Sequence, residues 1–360
     1  MKELKFGACL PTFDSCADRY CLSGYGPKRS LEEMFERASQ VEHLKGVELV
    51  GNWHLNEENF GFIGKMLAKY HLEVSMMVPD LWTQAKWGKG SFASKNATIR
   101  EEAVQEVTKV MDMAADIGCD KVDVWLGQDG FDYSFQADYA VDWEHIIAGI
   151  GQCADHRKDI KVCIEYKLKE PRKHCYIDSA AKTMLILHEI QRENVGILLD
   201  VGHSIAAQEN PSEAAALISR MPDKLFYIHL NDNYRSWDDD MIFGSVNTIT
   251  LLEFMYWLDE IGYDDYYTLD IFPFREDGVR AAEESIAWVT CMKNILNQIG
   301  RDTVKGVIRS GDATQGMKMI REAISPRVYT DRPFRTASIP GSHRCHDLSC
   351  QSTSNREPST

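Results

Sequence analysis

The chain has 360 residues, of which 44% are hydrophobic, enough for one large barrel or two ordinary domains. Lys and Arg number 40 against 55 Asp and Glu, and the net charge of −15 argues against a broad basic face for nucleic acid. No apolar stretch is long enough to span a membrane.

The opening "MKELKFGACL" runs straight into a strand pattern without the apolar core of a signal peptide. Ten cysteines show no spacing that suggests a disulfide framework or a zinc knuckle. Cys9, Cys119 and Cys163 lie in apolar runs, where a free thiol behaves as a small hydrophobe. A reduced, cytoplasmic setting is the expectation.

In chain order the strand candidates are residues 4–10, 46–50, 72–78, 120–126, 160–166, 195–200, 225–230 and 266–272. Amphipathic helical patterns lie between them, near 30–44, 56–70, 97–117, 142–155, 177–192, 211–220, 248–261 and 278–299. Continuous apolar strands suit a parallel sheet covered by helices. Eight β/α units, with no Gly-rich phosphate loop after the first strand, predict a (β/α)8 barrel rather than an open sheet. The barrel is expected over residues 1–300 and a short helical extension over 301–330. A disordered tail is expected over 331–360, where Ser, Thr, Pro and Arg abound without periodicity. His343, Cys345, His346 and Cys350 in that tail lack a frame that would make them a zinc site.

The chemistry of such a barrel sits at the C-terminal ends of its strands. Strand four ends in "VWLGQDG", with Trp125, and strand five in "IEYKLKEPR", with Glu165 and Lys167. Strand six ends in "LLDVGHS", with Asp200 and His203. Strand seven gives "YIHLNDN", with His229 and Asp232, and then "WDDDMIFG", with Asp238, Asp239 and Asp240. Strand eight gives "TLDIFPFRED", with Asp270. Taken singly, each acid is more often a helix cap or a salt-bridge partner. Four consecutive strands that deliver acids and imidazoles to one end point to divalent metal, because clustered buried acids are otherwise costly. Oxygen-rich ligands with a few imidazoles suit Mg²⁺ or Mn²⁺.

These segments resemble the xylose-isomerase-like sugar isomerases. "IEYKLKEPR" is similar to the family's Glu-x-Lys strand with its trailing Glu-Pro-Arg, and "DDDMIFG" to its Asp-x-Asp loop. "VWLGQDG" is similar to its Trp-Gly-Gly segment, and "DLWTQAKWGKGSFASKN" to its third-strand segment. The resemblance implies aldose–ketose isomerisation of a free sugar at two divalent ions, Mn²⁺, Mg²⁺ or Co²⁺. Glu165, Asp200, His229 and Asp270 would hold one ion. Asp200 would bridge to a second, bound also by His203, Asp238 and Asp240. Lys167 would contact the reacting oxygen, and Trp125, Trp87, Gln84 and His203 would surround the sugar. Asp200 stands where xylose isomerases have Glu, and His229 where they have Asp. Both departures look like the L-rhamnose isomerase branch. The family's ring-opening histidine falls on Gln84, an amide that cannot shuttle a proton. His54, in "NWHLN", is the candidate replacement, with loop packing as its bland reading. A homo-oligomer, dimer or tetramer, is also implied.

A ketose 3-epimerase, with one metal and Glu165 and Asp270 as paired bases, is the alternative enzyme. A barrel endonuclease would carry more histidines, and the net charge opposes it. A sugar-binding barrel without turnover would have no reason to keep complete ligand sets.

Overall fold

The structure, a computed structural model, describes residues 4–324. Eight parallel strands close into a barrel: β1 (Lys5–Cys9), β2 (Leu44–Val50), β3 (Glu73–Val78), β4 (Lys121–Trp125), β5 (Lys161–Glu165), β6 (Val195–Asp200), β7 (Leu225–Leu230) and β8 (Tyr266–Leu269). Neighbours in sequence are neighbours in the sheet, and β1 pairs with β8 to close the ring. The fold is a TIM barrel, as the count of β/α units predicts. Each strand lies within or close to its expected run because a strand covered on both faces is apolar nearly throughout.

Helices follow the strands: α1 (Leu31–Gln40), α2 (Phe60–Tyr70), α3 (Ala97–Ile117), α4 (Tyr139–His156), α5 (Ala180–Ile190), α6 (Val201–Ala206), α7 (Pro211–Ile218), α8 (Thr248–Ile261) and α9 (Gly278–Ile299). Several of their starts are set by side-chain oxygens that satisfy free N–H groups of the first turn. Ser30 and Glu33 make a capping box at α1, and Asn96, Asp138, Ser179 and Asn210 cap α3, α4, α5 and α7. Gly118 and Gly262 end α3 and α8 with φ of 85° and 75°, a left-handed turn that costs glycine nothing. The short α6 lies outside the expected elements. It exists because Asp200, the last residue of β6, caps it by accepting the His203 N–H at 2.8 Å.

Alternation inside the barrel builds the core. Val50, Met76, Val78, Cys163, Leu198, Tyr227 and Tyr266 pack together within it. Above this layer the loops are cross-tied. The Asp129 carboxylate accepts from the Ser91 N–H at 3.0 Å and also from the Ser91 hydroxyl and the Ala93 N–H, joining the loops after β3 and β4. A two-residue antiparallel pairing of Gly130–Phe131 with His174–Cys175 joins the loops after β4 and β5.

The chain divides into two compact units, with the boundary between Gln298 and Ile299. In the second unit α10 (Arg301–Ser310) and α11 (Ala313–Ile324) follow each other across Gly311. The expected tail, with His343, Cys345, His346 and Cys350, lies outside the described residues. Among the described residues no helix is long and apolar enough to cross a membrane.

Candidate active site

The C-terminal ends of the strands surround a cavity of about 220 Å³. Its floor carries Cys9, Glu48, Asp123, Glu165, Lys167, His203, His229, Asp238, Asp240 and Asp270. Trp53, Trp82 and Trp125 also line it, with ring centroids 5.6 Å and 5.1 Å apart along the series. Aromatic faces of this kind suit the C–H faces of a small polar ligand while excluding water.

Glu165, Asp200, His229 and Asp270 each offer a ligand atom within 4.8 Å of the others. The centre of the group is His229 Nδ1, at 3.1 Å from Glu165 Oε1, 3.7 Å from Asp200 Oδ2 and 3.6 Å from Asp270 Oδ2. Asn231 donates to Asp200 Oδ2 at 2.9 Å. That approach needs glycine at position 202, since a Cβ there would run into the Asn231 amide oxygen. The second expected set does not gather in the same way. Asp238 turns to the Lys167 ammonium at 2.6 Å and to His203 Nε2 at 3.1 Å. Lys167 Nζ also lies over the Trp125 ring, 5.2 Å from its centroid.

Electrostatics show a surplus of buried acid. Burial pushes Asp200 up to about 7, and burial with the neighbouring Glu165 pushes Asp123 well above the carboxylate range. Burial, then Asp238 and Asp270, raise Asp240 in the same sense, and burial raises Asp270. Burial opposes ionisation of Asp238 and Glu165 too. There it is outweighed, by Lys167 and His203 for Asp238 and by the two histidines and Lys167 for Glu165. Burial pulls His203 down, but Asp200, Asp238 and Glu165 prevail and lift it to about 9. Burial and like charge thus favour the protonated form of several of these acids.

A divalent cation fits these residues. The tetrad supplies three carboxylates and one imidazole, a hard donor set of the type that Mn²⁺ and Mg²⁺ take. Buried polar atoms also lack hydrogen-bond partners here: Asp123 Oδ1, His203 Nδ1, Asn231 Oδ1 and Asp238 Oδ1. His203 Nδ1 is 3.4 Å from Glu165 Oε1, an ion-pair distance without hydrogen-bond geometry.

The expected site residues Gln84, Trp87 and His54 lie outside the cavity lining. Gln84 is exposed, at the start of the 3-10 turn Ala85–Lys89, and does not line the cavity. Trp87 is fully buried within that turn, so the aromatic at this wall is Trp82 instead. His54 is buried outside the lining, and its Nδ1 accepts the Val50 N–H at 3.0 Å, which is the loop-packing reading. Conversely, Glu48, Asp123 and Trp53 line the cavity without having been expected there, as do Cys9, expected as a small hydrophobe, and Trp82 of the third-strand segment. A lone acid inside an apolar strand, "GVELV" or "DKVDVWL", was the available signal for the first two.

A family model described as "Xylose isomerase-like TIM barrel" matches residues 35–291. The chain belongs to this family. Within it, the xylose isomerase of Thermus thermophilus is 26% identical over 241 residues, 64% of this chain and 61% of that protein. That of Thermus caldophilus is 25% identical over 234 residues, 62% of this chain and 59% of that protein. The match therefore spans about three-fifths of the length of these relatives. Two solved structures share the fold. A D-tagatose 3-epimerase-like protein superposes with a TM-score of 0.67 at 19% identity, covering 82% of this chain and 99% of that one. An L-ribulose 3-epimerase does so with a TM-score of 0.63 at 13% identity, covering 92% and 100%.

Proposed function

We propose that this family member is a divalent-metal-dependent sugar isomerase that moves hydrogen between C1 and C2 of an unphosphorylated aldose or ketose. The observation that carries the reading is the Glu165, Asp200, His229 and Asp270 tetrad beside Lys167 in a tryptophan-walled cavity. Glu165, Asp200, His229 and Asp270 would hold one ion, and His203, Asp238 and Asp240, with Asp200 shared, a second. Bound there, such ions supply electrophilic polarisation of the sugar's carbonyl and neighbouring hydroxyl.

The chain's own groups do the rest. Lys167 keeps its proton, because Asp238 and Asp240 outweigh its burial, so it presents fixed positive charge to an oxygen that gains charge in the transition state. Trp53, Trp82 and Trp125 orient the sugar and keep water from the migrating hydrogen. Asp270 and Glu165 line the cavity and can accept or return the hydroxyl proton.

One observation favours a second reading. Glu165 and Asp270 belong to the compact tetrad, while Asp238 is engaged by Lys167. That arrangement suits a one-metal ketose 3-epimerase in which these two carboxylates act as the bases. Calorimetric titration after chelation, with a panel of sugars including L-rhamnose and Mn²⁺, Mg²⁺ or Co²⁺, tests both. Two ions per chain with metal-dependent aldose–ketose exchange is the expected result. One ion, inversion at C3 and no effect of Asp238→Asn would replace it with the epimerase. Absence of metal binding would end both.

A further inference from the structure

The acid that sequence reading passed over, Glu48, has no Lys or Arg ion partner among the ion pairs of the described residues. It is 1% exposed, inside the barrel, on β2. Its Oε1 meets His229 Nε2 at 3.0 Å, and its Oε2 accepts the Cys9 thiol at 3.2 Å. Cys9 and Glu48 are register partners on β1 and β2, so the pairing of two strands fixes this contact. The other nitrogen of His229 faces the tetrad.

We propose that Glu48 is a positioning residue, which holds the His229 imidazole as its Nε2–H tautomer and so leaves the Nδ1 lone pair for a metal ion. This rests on the metal centre of the preceding reading. A neutral imidazole carries one ring proton. With Glu48 in place that proton has a charged acceptor on the side away from the tetrad. Without it, Glu165, 3.1 Å from Nδ1, is the nearest competitor, and a proton held there would block the position a cation needs. A carboxylate that accepts from the far nitrogen fixes both tautomer and ring orientation. Cys9 in turn holds the second oxygen of Glu48, which leaves Oε1 for the ring.

Cys9, Glu48 and His229 also lie close enough to form a ligand group themselves. In the positioning role the thiol and Nε2 protons both stay in place, directed at Glu48; in a metal role both would leave. The experiment separates these outcomes. Histidine-labelled whole chain, saturated with diamagnetic Mg²⁺ so that Nδ1 does not carry a second proton toward Glu165, is read by ¹⁵N NMR, with His229→Asn to assign the ring. The expected result is the Nε2–H tautomer. Mn²⁺ affinity by calorimetry should fall about 10–100-fold in Glu48→Leu. It should stay within roughly a few-fold of wild type in Glu48→Gln, whose amide oxygen accepts the same N–H. Cys9→Ala should cost less than Glu48→Leu, which breaks the contact with the ring. A wild-type Nδ1–H tautomer overturns the proposal. So does a folded Glu48→Leu that binds Mn²⁺ normally, or a Glu48→Gln that loses affinity as Leu does. Should Glu48→Leu fail to fold, the tautomer and the Gln variant still decide. Stoichiometric Zn²⁺ uptake abolished by Cys9→Ala would make the cluster a metal site and overturn it too. A wild type that binds no Mn²⁺ defeats the metal reading itself, whereas normal wild-type binding with an unaffected Glu48→Leu defeats only the role of Glu48.

Discussion

The ammonium of Lys167 lies 2.6 Å from Asp238 Oδ2, joining the loops that follow β5 and β7. The pair holds a fixed cation at the cavity wall, and it keeps Asp238 ionised against burial.

Replacing Lys167 with Met removes that charge while keeping much of its length. Loss of an electrostatic group at the reacting oxygen should lower kcat by roughly 10²-fold or more with a smaller change in KM. Steady-state kinetics on the accepted sugar check it. Activity within a few-fold of wild type would reduce Lys167 to a strand-end ion pair.

Glu165→Gln and Asp270→Asn remove charge from the tetrad and keep its shape. Turnover should vanish in both, whichever reaction the site performs. Retained turnover in either, with the metal still bound, would show that the tetrad is not the reacting centre.

Excess Mn²⁺ should stabilise the protein, because it binds the native cluster and offsets the repulsion of its acids. At a hundredfold excess over Kd the gain is about 2.7 kcal/mol, a rise in Tm of about 5 °C. A melting curve that ignores Mn²⁺ after chelation would count against the centre.

His54 gives the pH dependence a definite sign. Burial lowers its pKa from 6.5 to about 4, so between those values the unfolded chain binds a proton that the folded one refuses. The His54 contribution is therefore fully present above pH 6.5 and is lost as pH drops toward 4, by about 3 kcal/mol in all, with about 2 kcal/mol gone at pH 5. Denaturant unfolding at pH 7 and pH 5 with saturating metal should show a steeper loss in wild type than in His54→Asn. Equal losses would contradict the assignment.

Trp82→Ala should raise KM by removing a wall of the cavity, whereas Gln84→Ala should leave both kinetic constants unchanged. The reverse pattern would restore Gln84 to the site.

The barrel was legible because its strands are apolar runs bounded by polar ends, and the tetrad because Glu165, Asp200 and Asp270 stand at or next to those boundaries, with His229 just inside one. Glu48 and Asp123 were hidden by the same rule, since each interrupts a strand near its middle and its direction depends on register. Trp82 and Trp87 are five positions apart in an irregular loop. No period tells which one faces the cavity, and the 3-10 turn at Ala85–Lys89 decides it. His54 was ambiguous because an imidazole's role depends on which nitrogen is engaged, and the Val50 N–H occupies Nδ1.

The tetrad comes from β5 to β8 and the residues that follow them, while the tryptophan wall comes from the ends of β2, β3 and β4. On the proposed function, one half of the barrel would carry the reaction and the tryptophans of the other half would meet the substrate's remaining surface. Substitution of the three tryptophans can reshape that wall while Glu48, also on β2, keeps its contact with His229. On that reading, a change in the choice of sugar would proceed by small steps, each starting from an intact tetrad.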